Sequence, residues 1–265
     1  MSKAPLGPQR LAATLAWLFA LALLANTAAH GARYQWDFKV YYYAARTFAA
    51  GGDPYAPSPQ NFTPAGYLPF LYPPLTLTLF RLFALPPILP AAALWLGLKL
   101  IALAALLTVW SRRFLPLRAL SAPTVLFFLL AFNRTLYTDI ITGNVTVFED
   151  LALWLGFAAL LSGRPWAFCA CLILAAQFKI IPIAFLVLLL LVPPRPQWGA
   201  FFTGLLGFAA LFSLNALLYP GLTRQFFANS LAVDHRGSNN PSTLAFFRDF
   251  ADKLALPLAA SPALY

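Results

Sequence analysis

The sequence predicts an all-α polytopic membrane protein: a bundle of about seven spans, with interfacial helices in its first external loop. Three observations predict it. The 265-residue chain is 61% hydrophobic, against roughly 45–50% for a soluble domain. Only 10% of its residues are charged. Several apolar runs approach the ~20 residues that a spanning helix needs. The formal net charge of +10 does not point to nucleic acid, because Lys and Arg are scattered between apolar runs and form no stripe. Basic residues flanking spans are the ordinary determinant of orientation.

The first apolar run covers residues 11–29 and follows Lys3 and Arg10. It reads as an uncleaved helix or as a signal peptide with Thr27-Ala28-Ala29 as its cleavage site. Both readings put Asp37 outside the cytoplasm, in a first external loop that covers about residues 31–90 if the next apolar run does not span. The next run, Gly66 to Leu85, holds Pro69, Pro73, Pro74 and Arg81. Counting it as interfacial or re-entrant leaves Arg112, Arg113 and Arg118 cytoplasmic, as the orientation rule favours. The remaining spans are then 91–111, 120–133, 145–162, 166–178, 182–192 and 199–219. The pair 166–192 is short for two spans, which implies a tight external turn at Lys179 and Pro182. Residues 1–219 make the transmembrane module and 220–265 an external tail. Segments 51–59 and 193–196 are loops. Cys169 and Cys171 lie two apart in an apolar run and face different ways on a helix. They read as packing residues, with no disulfide framework or zinc spacing.

This topology sorts the charges. Every acid lies in an external segment or inside a span. External basic residues such as Arg46, Lys179, Arg236 and Arg248 run against the orientation rule and are candidates for holding an anion, since Arg grips phosphate bidentately and Lys supplies a point charge. Asp37, just beyond the first span and near Tyr41, reads equally as a general base or as the N-cap of the helix that follows. FLYPPLTL, Phe70 to Leu77, fixes a kinked helix entry, because Pro suits a first turn and breaks an interior. In TGNVTVFED, Thr142 to Asp150, Gly143 and Asn144 close an external turn. Lys99, Glu149 and Asp150 fall inside spans. They read as a structural ion pair or, in a transporter, as an ion path. The tail segment GSNNPSTLAFFRDF carries Asn239, Asn240, Ser242 and Arg248.

The order of these segments is more specific than any one of them. DFKVYYYAA, AGGDPY, FLYPPL, the Gly-Asn-Val turn, the Lys179 turn with Pro182, and NNPSTLAFFRD together resemble glycosyltransferase family 87, the polyprenyl-phosphate-mannose-dependent mannosyltransferases of the GT-C superfamily. The resemblance runs from Asp37 to Asp249. It implies a plasma (inner) membrane protein with an external active site, and transfer of a sugar, mannose in the family, from a polyprenyl-phosphate donor to a glycan or glycolipid hydroxyl with inversion. It implies Asp37 as the catalytic base. Lys179, Arg248, Arg236 and Arg46 are the candidates for the donor phosphate. Tyr41, Tyr72, Asn144, Asn239, Asn240 and Ser242 are candidates for lining the site. No cofactor is required, and a divalent metal is left open. Two features depart from the family. Its usual Gly-Gln-Val-Asn turn reads Gly143-Asn144-Val145-Thr146 here. Its members usually continue for several more spans, so the tail reads as truncated relative to them. The rival readings are a transporter using Lys99, Glu149 and Asp150, and an inactive partner or fragment.

The charge distribution makes the first prediction. In a background lacking Cys169 and Cys171, a cysteine at position 118 should react with thiol reagent only from the cytoplasmic side, and one at position 261 only from the outside. Labelling of position 118 from the outside alone contradicts the interfacial reading of 66–85.

Overall fold

The computed structural model describes residues 8–59, 62–63, 66–115 and 133–232. The chain divides into two compact units, Met1–Phe226 and Phe227–Tyr265. The account below concerns the first. Regular structure among the described residues is helical, apart from a hairpin of two residues per strand, β1 (Phe62–Thr63) and β2 (Gly66–Tyr67).

Helix α1 (Pro8–Tyr34) runs for 27 residues, about 40 Å at 1.5 Å per residue. The chain breaks at the fully buried Gln35 and restarts as α2 (Trp36–Ala49). α2 buries Phe38, Val40, Tyr41, Tyr42, Ala44 and Ala45. It ends at Ala50, and Gly51 at φ 77° carries the chain away in a conformation open to glycine. Asp53 Oδ1 accepts from Tyr55 N at 2.9 Å, a local turn of the kind Asp favours. α3 (Leu75–Phe80) has only six residues, about 9 Å of helix. The segment 66–85 is therefore no continuous helix and does not cross a ~30 Å hydrocarbon core as one.

Two helices are long and apolar enough to cross a membrane, α4 (Ile88–Arg113) and a later one, Trp198–Leu218. α4 ends in Arg112 and Arg113, which suit the negative end of the helix dipole. α5 (Asn133–Thr142) and α6 (Thr146–Leu161) follow, joined by Gly143 at φ 75°. α6 folds back on α7 (Pro165–Ala176) through Gly163 at φ 69°. The expected span 182–192 is not one α-helix. Ile181–Val187 is a 3-10 helix, followed by a four-residue α8 (Leu188–Leu191). Pro182 removes one N–H from the start of that ladder. α7, with 12 residues, reaches about 18 Å, so neither member of the pair has the length of a full span. α9 (Trp198–Leu218) and α10 (Pro220–Ala232) complete the described chain.

Small residues let the second half pack closely. A Cβ on Gly156 would lie 3.1 Å from Cys171 Cβ, and one on Gly204 would lie 2.9 Å from Leu186 and 3.1 Å from Cys169 Sγ. The Cys169 thiol donates to Ala200 O at 3.3 Å. Both cysteines are free and act here as small packing groups.

The first half packs around Trp95 on α4. Its ring stacks on Phe38 of α2 at 5.2 Å and meets Phe83 at 5.1 Å and Phe148 of α6 at 5.0 Å. Tyr41 stacks on Phe80 of α3 at 4.8 Å. Aromatic pairs add about 0.5–1.5 kcal/mol each beyond their area, so one side chain links α2, α4 and α6. The segment around α3 is pinned at three points, two at its proline-rich entry and one beyond its end. Tyr55 Oη donates to Tyr72 O at 2.6 Å, Tyr42 Oη donates to Pro86 O at 2.9 Å, and Leu75 N donates to Asn215 Oδ1 of α9 at 2.8 Å. The last bond satisfies a helix N–H that Pro73 and Pro74 leave without a side-chain cap.

Candidate active site

Trp95 and Lys99 are four residues apart and share one face of α4. Both reach the turn between α5 and α6. Trp95 Nε1 donates to Gly143 O at 2.8 Å. Lys99 Nζ donates to the next carbonyl, Asn144 O, and to Asp139 O at 2.6 Å and Asp139 Oδ2 at 2.8 Å. The Lys99 side chain is 0% exposed, and these acceptors use all three of its protons. A buried ammonium is tolerated only when so paired. With both carbonyls drawn toward α4, the turn presses its other side on α2. A Cβ on Gly143 would sit 2.8 Å from Phe38 Cβ, at a φ of 75° that L residues rarely adopt.

Asn144 then points at α2. Its Nδ2 donates to Asp37 Oδ2 at 2.9 Å, joining residues 107 apart in sequence. Its Oδ1 accepts from Thr146 N at 3.1 Å and Thr146 Oγ1 at 2.8 Å. Those two donors fix which end of the amide faces the acid. Lys179, in the turn after α7, donates to Thr146 Oγ1 at 3.0 Å and pairs with Glu149 Oε2 at 3.0 Å. A continuous chain of polar contacts thus runs from Asp37 through Asn144 and Thr146 to Lys179 and Glu149.

The half-buried Asp37 is not a helix cap. Gln35 occupies the cap position with no side-chain cap bond, and Asp37 lies in the first turn of α2. Burial pushes its carboxyl above the usual carboxylate range; hydrogen bonds from Asn144 and Thr142 and the charge of Lys99 oppose that, and Asp139 reinforces it. Burial likewise raises Asp139, against the pull of Lys99. One helical turn beyond Asp37, Tyr41 lies with its hydroxyl 3.0 Å from that of Tyr72. Burial holds both phenols well above their ordinary value, so they stay neutral.

The structure therefore brings together Asp37, Tyr41, Tyr72, Asn144 and Lys179. Arg46 stands apart. It is nine residues along α2 from Asp37, on the opposite side of the helix, with its guanidinium over the Tyr42 ring at 5.7 Å and Nη1 donating to Tyr42 Oη at 3.3 Å. Arg236, Asn239, Asn240, Ser242 and Arg248 lie outside the described residues. The expected grouping of Lys99 with Glu149 and Asp150 needs correction. Lys99 pairs with Asp139 and Glu149 pairs with Lys179, so these groups do not form the set on which a transporter reading relied. Thr146 is the member that sequence reasoning passed over. A Thr two residues after an Asn at a helix start is the signal that marks such a turn. Among the described residues, no three His, Cys, Asp or Glu side chains gather as a metal-binding set.

An acid held by an amide at one end of a polar chain, with a lysine at the other, suits a reaction that removes a proton and receives an anion. Residues 70–265 match glycosyltransferase family 87, and the chain belongs to that family. It is a glycosyltransferase of the membrane. No curated protein and no solved structure matches it. The matched residues include Tyr72, Asn144 and Lys179. Asp37 precedes them, so its assignment stands on geometry.

The turn yields a second prediction. Gly143→Ala must relieve a clash with Phe38 and adopt a strained φ, at a cost of about 1–3 kcal/mol. Its thermal unfolding midpoint in detergent should fall, and its transfer rate should fall with it. A parent-like midpoint and rate would show that the turn does not need to approach α2 this closely.

Proposed function

We propose that the protein is an inverting GT-C-type enzyme of the plasma (inner) membrane, with about seven spans and its site on the external face. It moves a sugar, mannose by family resemblance, from a polyprenyl-phosphate donor to a hydroxyl of a glycan or glycolipid. The observation that carries the reading is the distribution of charge among the buried acids. Asp139 and Glu149 are each tied to a lysine. Asp37 is held by the neutral amide of Asn144. An acid paired with a lysine is committed to that ion pair. Asp37, raised by burial and braced only by neutral groups, keeps its affinity for a proton.

In the proposed step the acceptor oxygen attacks the anomeric carbon while Asp37 takes its proton. The bond from that carbon to the donor phosphate oxygen breaks, and the electron pair leaves with the polyprenyl phosphate. One displacement inverts the centre. The phosphate departs as an anion, so no general acid is required. Growing charge on it is stabilised by a fixed cation. Lys179 fits that role. Its side chain is 44% exposed; it donates one proton to Thr146 and pairs by charge with Glu149. By the family resemblance alone, Arg248 and Arg236 are further candidates for the donor phosphate, and Asn239, Asn240 and Ser242 for contacts with the substrates. Residues 1–219 are taken as the transmembrane catalytic module and 220–265 as an external tail.

Asp37→Asn should fold and bind donor yet lose at least ~10²-fold in single-turnover transfer, the usual worth of a general base. A rate within a few-fold of the parent removes Asp37 from the mechanism. In the parent, the rate should fall as pH drops through the pKa of Asp37. Because burial raises that pKa, the acidic limb should lie above the ordinary carboxylate value of 3.8. Lys179→Met should weaken donor handling, seen as a higher KM for the lipid-linked sugar. Donor affinity equal to the parent's would refute the phosphate role.

A further inference from the structure

The family turn has Asn where this chain has Thr146, and the geometry around that hydroxyl assigns it a task of its own. Asn144 can present either end of its amide to Asp37. With Nδ2 inward it donates to the carboxylate. With Oδ1 inward it sets one acceptor against another, and the acid is held only in its protonated form. What decides is the pair of donors on the far side, Thr146 N at 3.1 Å and Thr146 Oγ1 at 2.8 Å, both on Asn144 Oδ1. A hydroxyl has one proton and two lone pairs. Here the proton goes to Asn144, and a lone pair accepts from Lys179 Nζ at 3.0 Å. An ammonium on that lone pair polarises the O–H and strengthens its donation, and each bond in such a chain strengthens the next.

We infer that Thr146 is a positioning residue for the transfer reaction: its hydroxyl, polarised by Lys179, locks the Asn144 amide with Nδ2 toward Asp37 and so links the proposed base to the proposed phosphate cation. The inference deepens the reading of Asp37 as the base and depends on it for its catalytic meaning. The linkage itself concerns only which face of Asn144 meets the acid. It also gives Lys179 a second effect. A donor phosphate that draws on the ammonium changes the polarisation of Thr146, and the change reaches Asp37 through two hydrogen bonds.

Among the described residues, the charged and titratable groups facing Asp37 are Lys99 from α4, Asp139 from α5, Tyr41 on its own helix and Tyr72 from the entry to α3, while Glu149 and Lys179 join it through Thr146. Asp139 also draws on the Thr146 hydroxyl, but its Oδ2 is already held by Lys99. Removing the hydroxyl leaves Lys99 and both tyrosines in place but takes a donor from Asp139; a less readily ionised Asp139 repels the Asp37 charge less and would lower Asp37, so a rise in the titration of Asp37 reports the amide.

The test uses the full-length protein in detergent or liposomes and reads Asp37 without catalysis. A hydrophobic carbodiimide reacts with a protonated buried carboxyl, and peptide mass analysis gives the extent of labelling at Asp37 against pH. Thr146→Val keeps the shape and removes the hydroxyl. It should extend labelling to higher pH, with the midpoint moving up on the order of one unit, as expected when a charge-assisted hydrogen bond is weakened. Thr146→Ser restores the hydroxyl and should return the midpoint to that of the parent. The acidic limb of the transfer rate should move with the labelling curve in all three proteins. If Thr146→Val does not fold, Thr146→Ala read against Thr146→Ser makes the same comparison. A labelling midpoint unchanged by Val or Ala overturns the inference, whatever Asp37→Asn does to turnover. A shifted midpoint together with a fully active Asp37→Asn keeps the linkage and overturns the reading of Asp37 as the base.

Discussion

Two donors four residues apart on one face of α4 hold two consecutive carbonyls, Gly143 O by Trp95 and Asn144 O by Lys99, and the arrangement of the site follows from that clamp. A turn whose carbonyls are drawn one way must show its side chains the other way. Here the other way is α2, and the close approach is possible because position 143 has no Cβ. The same Trp95 ring packs on Phe38, one residue from Asp37. Apolar stacking and the backbone clamp therefore set the distance between Asp37 and Asn144 from both sides. Lys99 makes the clamp stringent. A fully buried ammonium with three acceptors contributes little beyond its own desolvation, but removal of one partner costs about 3–5 kcal/mol.

The charge arrangement divides labour among acids that look alike in sequence. Asp139 is committed to Lys99 and to the turn. Glu149 is committed to Lys179. Asp37 receives only neutral hydrogen bonds, and burial keeps its proton affinity high. Two lysines thus bind two carboxylates in ion pairs, while Asp37 is held by a neutral amide. Lys179 belongs to neither set alone, because it is half-exposed, pairs with Glu149 and bonds inward to Thr146.

Much of this was legible in the sequence, and the rest was hidden for physical reasons. Hydropathy found the two long apolar helices, Ile88–Arg113 and Trp198–Leu218, because a span needs length and little else. The prolines before Leu75 marked a broken segment, and the six-residue α3 is what they permit. Asp37 and Asn144 were both visible as candidates. Their bond was not, because contact across 107 residues depends on how α2 and α4 pack. The cap reading of Asp37 failed because the break in the chain falls at Gln35, two residues earlier. Lys99 could be seen to need a partner, but Glu149, Asp150 and Asp139 all offered charge. Only the fold of the α5–α6 turn selects Asp139. Thr146 escaped notice because a Thr at a helix start ordinarily reads as local capping, and its inward bond to Lys179 comes from a different helix pair.

The central claim is that the base and the phosphate cation flank one reaction centre. A structure of the protein with a non-transferable polyprenyl-phosphate sugar bound tests it most directly. The account predicts the donor phosphate in contact with Lys179 Nζ and the anomeric carbon within about 6 Å of the Asp37 carboxylate, the reach of one hydrogen bond and one near-attack contact. A donor bound with its phosphate at the Arg46 end of α2, its anomeric carbon out of reach of Asp37, would contradict it.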